Sequence, residues 1–537
     1  MAGSDQPTET GDALPLHTRT VEAARECLEL GNSLIPEISL LVSRLEKTHR
    51  PPTLTGLVTW VRGLQKDQRS LQRLVDDELG NATELPETQL KAIANKIQAN
   101  VIDIKHAHLK WSILKRCHSF QALNQTFLSS TKESRREVVS SQESISGREK
   151  QLLHRTLKEQ SRVEVDVVER GSEWIDIKSI SLDRLARQMT DSGWGWGEHE
   201  LGDVLDEEDW GEVPLAKQIK RIVEAAKRNR HEYRIPRVRV VLPRIQTDAN
   251  NDVAVFIDQL RNIDSQVEVI INDSQSDFLT SEPPQLETAI GNLAGDELAG
   301  LTPVLNMDHT ILIDLISDIT HYNLEPQPWQ ASTTQAQIKE ENRYPDGLMA
   351  PTLYPLLRGR KLICTKEAAE HFHDVLSTVG TNTERQRGHL LVPRDPETLA
   401  LSPSDIHAKF SSLSVRPPPA DLQIPVTILS DPTDFQAAVK DGRLPEVALD
   451  VARCGGFKSS KLSIYMHGWA EGITTVTSNK EIRGHMRTWV EAHRRTEDDI
   501  GPSIYRVDVT RNLLAKAATP PDSWPDGGYE NGDDGSN

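Results

Sequence analysis

The residues able to do chemistry in this chain are carboxylates placed near predicted strand ends. Asp308 follows the short apolar run Val304-Leu305-Asn306-Met307 and precedes His309-Thr310-Ile311-Leu312-Ile313, so a buried strand delivers an acid to the start of a helix. In open α/β sheets, ligands collect at that end of the strands. A Mg²⁺ or Mn²⁺ ion takes oxygen ligands, commonly one or two carboxylates with retained waters, and then activates water or polarises a phosphoryl oxygen. Asp308 is the first candidate ligand. Aspartate in this position is equally a helix N-cap, which stabilises by about 1 kcal/mol without any chemistry.

Glu370 is the second candidate ligand, on a predicted helix from Lys366 to Thr378 that follows the strand Leu362 to Cys364 and can lean back over the end of the first strand. Glu367, one turn earlier, is the alternative, and a solvated helix surface is the plain reading of both. Ile473-Thr474-Thr475-Val476-Thr477-Ser478-Asn479 is a β-branched strand ending in small polar groups. There Thr477 and Asn479 can orient water or substrate, or Ser478 or Asn479 can cap the next helix. Asp314 and Asp318 lie four apart on the predicted helix after Asp308, a spacing that usually means a solvent-facing pair. Arg360 and Lys361, with Arg385 and Arg387 in a predicted loop from Thr383 to His389, are the basic residues nearest in sequence to these acids and the candidate substrate contacts. A denser basic stretch runs from Lys217 to Arg239 with Tyr233 inside it. It reads as a phosphate-binding face or as a helix neutralised by the acidic segment Glu198 to Glu212.

The elements that must position these residues follow from periodicity. From about residue 21 to 162 the pattern is helical: Leu34, Ile38, Leu41 and Leu45 form one stripe, Leu57, Val61, Leu64 and Leu71 a second, and Ile93, Ile97, Val101 and Ile104 a third. Pro51-Pro52 and Pro86 separate them, which predicts a bundle of three or four helices with faces available to protein partners. At Val163 the period changes to two, and Val163, Val165 and Val167 followed by Trp174-Ile175 predict a hairpin. Alternating helices and strands to residue 272 predict a middle α/β unit, 273–302 a linker, and 303–517 a final α/β domain. That domain is expected to contain strands at Leu362 to Cys364, Val426 to Leu429, Leu462 to Met466 and Ile473 to Val476. Residues 1–20 and the acidic tail 518–537 are expected to be disordered.

The segments Leu305 to Ile313, Arg360 to Cys364 and Thr475 to Asn479 resemble the eukaryotic family called domain of unknown function 1308, and more broadly the PIN-like nuclease fold. The resemblance covers about residues 163 to 515. It implies a PIN-like (Rossmann-like) three-layer α/β domain that cleaves RNA phosphodiesters with carboxylates around Mg²⁺ or Mn²⁺. Asp308 takes the first acidic position and Glu370 the second; Asn479 stands where the last carboxylate often is, and His467-Gly468-Trp469 stands where another acid is expected. An amide in place of a carboxylate weakens a metal site. Two functions follow: a metal-dependent ribonuclease, or a catalytically degenerate PIN-like protein that binds protein or RNA.

Composition narrows the rest. Net charge is −18, from 80 acidic and 62 basic residues, so long-range attraction to nucleic acid is not the default. Four dispersed cysteines without CxxC spacing predict reduced thiols rather than a zinc ribbon or disulfide scaffold. No apolar run of about 18 residues occurs, so a cytoplasmic or nuclear protein without a membrane span is expected. GxGxxG, GxxxxGK[ST] and GxSxG are absent. The Gly193-Trp194-Gly195-Trp196-Gly197 loop stands apart from all of these patterns.

Overall fold

The computed structural model describes residues 16–48, 52–79, 87–142, 146–454, 459–514 and 519–520. The expected disordered tail therefore lies outside the described residues apart from 519–520. So does most of the expected disordered start, although residues 16–20 open the first helix. The chain divides into two compact units, Met1–Asp296 and Glu297–Asn537.

In the first unit, three long helices (Leu16–Leu45, Thr55–Arg73 and Glu87–Leu114) precede a five-stranded sheet. The sheet contains β1 (Phe120–Leu128), β2 (Arg162–Glu169), β3 (Glu173–Ile177), β4 (Arg237–Leu242) and β5 (Val269–Asp273), in that spatial order. The β1–β2 and β2–β3 pairs are antiparallel, including the expected hairpin; β3–β4 and β4–β5 are parallel, joined by helices. Strand alternation sorts the core. Trp174, Val238 and Val240 pack with helices Pro214–Arg228 and Asn251–Arg261, whereas Ile175, Ile177 and Val241 pack with Leu34, Ile38, Leu41 and Trp111 of the long helices.

Two expectations change here. The span read as wholly helical contains β1, whose polar residues Gln121, Asn124 and Gln125 hide its two-residue period. The expected 273–302 linker contains the helix Leu286–Ala294, which buries Ile290 and Leu293 in the core of the first unit. The stripe on the first helix is thus covered by the unit's own sheet.

The second unit is built on a wholly parallel sheet of β6 (Val304–Met307), β7 (Lys361–Cys364), β8 (Thr427–Ile428), β9 (Thr474–Thr477) and β10 (Ile504–Arg506), in the order β10-β9-β6-β7-β8. The mixed α/β class is as expected. Residues 462–466 differ: they lie within a helix, Ser459–Ala470, rather than a strand. Apolar runs this short fit either state, and length must arbitrate. Gly468 lets that helix approach β9 closely, because a Cβ there would collide with Thr475 Oγ1. Asn306 on β6 fastens the contact by donating to Ile464 O at 2.6 Å and Thr475 Oγ1 at 3.0 Å.

Among the described residues no helix is long and apolar enough to cross a membrane. Cys27, Cys117 and Cys364 are buried free thiols, and Cys454 is an exposed one.

Candidate functional site

The chain leaves β6 toward β7 on one side of the sheet order and returns to place β9 on the other, so the carboxyl ends of β6 and β9 flank a topological switch point. The register Met307↔Val476 sets Asp308 beside Thr477, and Asp308 N donates to Val476 O at 3.0 Å. Both side chains are buried. Asp308 caps the helix His309–Ile316, accepting from Thr310 N at 3.4 Å. Its Oδ1 also lies 2.7 Å from His309 Nδ1, while Oδ2 accepts from Tyr465 Oη at 2.9 Å and from Thr477 Oγ1. An ionised carboxylate has about four acceptor positions. Three accept hydrogen bonds within the protein, and the His309 ring packs against Oδ1 without hydrogen-bond geometry.

Burial pushes the Asp308 carboxyl up, but His309 and the Thr477 and Tyr465 hydroxyls outweigh it and hold the group below its ordinary range. Burial and the Asp308 charge together raise the Tyr465 phenol, so it stays a donor. The sequence does not single out Tyr465, because its segment, 462–466, fits a strand. The signal that could have found it is the length of the apolar pattern, which continues through Trp469 and favours a helix.

The other predicted residues are placed differently. Glu370 is on the helix Lys366–Val379 and is exposed to solvent. That helix does lean toward Asp308, yet it presents His371, whose ring meets His309 edge-on at 4.6 Å. Asn479 Oδ1 accepts from Glu481 N at 3.1 Å at the start of the next helix, and Asn479 N donates to Thr477 Oγ1 at 3.0 Å. Among the described residues no group of three or more His, Cys, Asp or Glu is arranged to hold a metal ion. The residues present therefore do not fit a Mg²⁺ or Mn²⁺ centre of the kind outlined above. His467 contacts Thr433 Oγ1 at 3.0 Å, and Glu471 pairs with Arg443 at 2.7 Å.

The basic candidates separate into surface and core. Lys361 is exposed, and Arg360 donates to Leu356 O at 3.1 Å. The expected loop from Thr383 to His389 is the helix Asn382–Leu391. On it Arg385 is turned to the carbonyls of Leu376 and Ser377, and Arg387 is wholly buried. Arg387 donates to Ile316 O at 2.9 Å and Leu413 O at 2.6 Å and forms an ion pair with buried Asp318. It is a structural residue, not a substrate contact. The basic stretch of the first unit is likewise engaged, with Lys217 paired to Glu212 and Lys220 to Glu207.

Asp314 and Asp318 do not form the expected exposed pair. The helix ends at Ile316, a new turn begins at Asp318, and both carboxylates are buried. Asp314 Oδ1 accepts from Arg511 N at 2.6 Å and Thr510 Oγ1 at 3.1 Å. Burial raises its pKa to about 7 against the lowering by these donors. The folded state therefore keeps a proton that the unfolded chain, near 3.8, has released. Stability from this group is present at low pH and is lost as pH rises from about 4 to about 7. Asp314→Asn should raise the thermal unfolding midpoint at pH 8, with the gain shrinking toward pH 4. Melts across that range check this, and a variant less stable than wild type at pH 8 contradicts it.

Comparison with known proteins adds one result. Residues 305–397, from β6 to beyond the Arg387 helix, match the model of a family described as protein of unknown function, DUF1308. No curated protein and no solved structure matches the chain.

Proposed function

We propose, on the premise that residues 305–397 resemble the DUF1308 family, that the second unit is a PIN-like scaffold whose strand-end aspartate serves structure, and that the chain acts by binding protein rather than by cleaving RNA. The parallel sheet and the aspartate at its switch point support the PIN-like part. The observation that carries the loss of chemistry is the enclosure of Asp308: both its oxygens accept hydrogen bonds, from Thr310 N, Tyr465 and Thr477, and His309 lies against Oδ1. A ligand to a metal needs at least one lone pair turned toward the ion. Glu370, exposed to solvent, supplies no second ligand to it.

Protein is favoured over RNA as the bound species by charge. The net −18 repels a polyanion, and Lys217, Lys220 and Lys227 of the densest basic helix are each paired with an acid. The test is incubation of labelled single-stranded RNA with Mn²⁺ and either wild type or Asp308→Asn. No Mn²⁺-dependent cleavage by either protein is the expected result. Cleavage by wild type that disappears in the variant overturns the proposal in favour of a ribonuclease.

A further inference from the structure

The Gly193–Gly197 loop and the acidic segment after it are tied to one helix of the first unit, Asn251–Arg261. Trp194 is buried edge-on to Phe256, and its indole donates to Asp252 Oδ1 at 3.0 Å, the same oxygen that accepts from Gly197 N at 2.9 Å. Asn251 holds His199 O at 3.2 Å, and Gln259 clamps the far end through Asp203 O at 2.7 Å and Leu205 N at 3.2 Å. Gly193, Gly197 and Gly202 take left-handed backbone that glycine alone adopts without strain. A loop secured along its length in this way holds its apolar side chains in fixed positions.

Yet it turns three of them outward. Trp196 is 39 % exposed, Leu201 65 % and Val204 97 %. The surrounding chain is strongly acidic: residues 198–212 contain eight Asp and Glu and no Lys or Arg. Glu207 and Glu212 pair with Lys220 and Lys217, and the other six acids form no ion pair among the described residues. Single exposed apolar residues are ordinary on protein surfaces. Three within nine positions, on a pinned loop whose acids are mostly unpaired, are suited to docking.

We propose that this loop is a docking surface for a protein segment that presents Lys or Arg around apolar anchors. The apolar side chains supply contact area and the acids supply steering and orientation. An anionic partner such as RNA or an acidic membrane is repelled by the same field. This deepens the protein-binding reading above without depending on the Asp308 site. RNA cleavage would overturn that reading and leave this surface standing, whereas failure of the experiment below removes only the surface.

The probe is a fluorescein-labelled amphipathic peptide with Lys and Leu at helical spacing, titrated with the full chain by anisotropy. A control peptide has every Leu replaced by Ser. Saturable binding is expected, weakened by about tenfold or more in Leu201→Ser/Val204→Ser and with the Ser peptide, and by a similar factor in Glu198→Gln/Glu200→Gln/Glu208→Gln. The charge variant should also flatten the salt dependence. Because these positions are exposed, unchanged melting temperatures establish that the variants fold. Absence of saturable binding, equal binding of the two peptides, or binding indifferent to either variant overturns the proposal. So does wild-type dimerisation abolished by Leu201→Ser/Val204→Ser, which assigns the surface to a second copy of this chain.

Discussion

Arg387→Met is expected to destabilise the second unit by about 3–5 kcal/mol, the cost of leaving one member of a buried ion pair without its partner. Arg387 is fully buried and serves three acceptors: the Asp318 carboxylate and the carbonyls of Ile316 and Leu413. Its guanidinium also lies 5.3 Å from the centre of the Tyr322 ring. In the variant, Asp318 keeps only neutral side-chain donors, Thr381 Oγ1 at 2.6 Å and Thr383 Oγ1 at 2.7 Å. Arg387→Lys should recover part of the loss, since an ammonium restores charge but not the planar fork. Arg387→Met/Asp318→Asn should be less unstable than the sum of the single variants, because the second change removes the stranded charge. Urea unfolding followed by tryptophan fluorescence measures this. An Arg387→Met midpoint within 1 kcal/mol of wild type would show that the residue is not needed for the core, and would reopen it as a ligand contact.

Asp308→Ala should also destabilise, by about 3 kcal/mol or more, since it strips partners from Tyr465, Thr477 and the Thr310 N–H in a buried setting. Tyr465→Phe removes one donor and should cost about 1 kcal/mol, and the two together should be non-additive because they share one hydrogen bond. This outcome separates the two functional readings. A carboxylate kept for metal chemistry commonly sits at a cost to stability, so its removal is neutral or stabilising. A carboxylate that joins β6, β9 and the Tyr465 helix should be missed by the fold. Addition of Mn²⁺ in the millimolar range supplies a second readout: specific binding to the folded protein raises its unfolding midpoint. No such rise is expected in wild type. A rise that Asp308→Ala abolishes would restore the metal site.

Most second-unit strands and the helix after β7 were legible because their apolar runs are short, flanked by turn residues and separated by helical patterns. The placement of Asp308 at a strand end was legible for the same reason. The helix carrying Tyr465 was not, since Leu462 to Met466 fits either period over five residues. The packing that makes it a helix comes from the remote residues Asn306 and Thr475. The role of Arg387 is hidden in the sequence because the polar run Thr383 to His389 looks like a surface loop. In the structure it is a helix with a Thr381/Glu384 capping box, and its charged residues turn inward to Asp318 and Leu514. Capping boxes can be read from spacing, but the burial of an arginine depends on an acid 69 positions away.

The sequence by itself determined the mixed α/β class, the position of Asp308 at the end of β6 and the acidic character that disfavours nucleic acid, because period and charge are local or summed properties. Only the tertiary structure decided what Asp308 does. A carboxylate's role is set by how many of its lone pairs remain unclaimed, and the two hydroxyls that fill Oδ2, those of Tyr465 and Thr477, are brought to it by strand register and helix packing rather than by spacing along the chain.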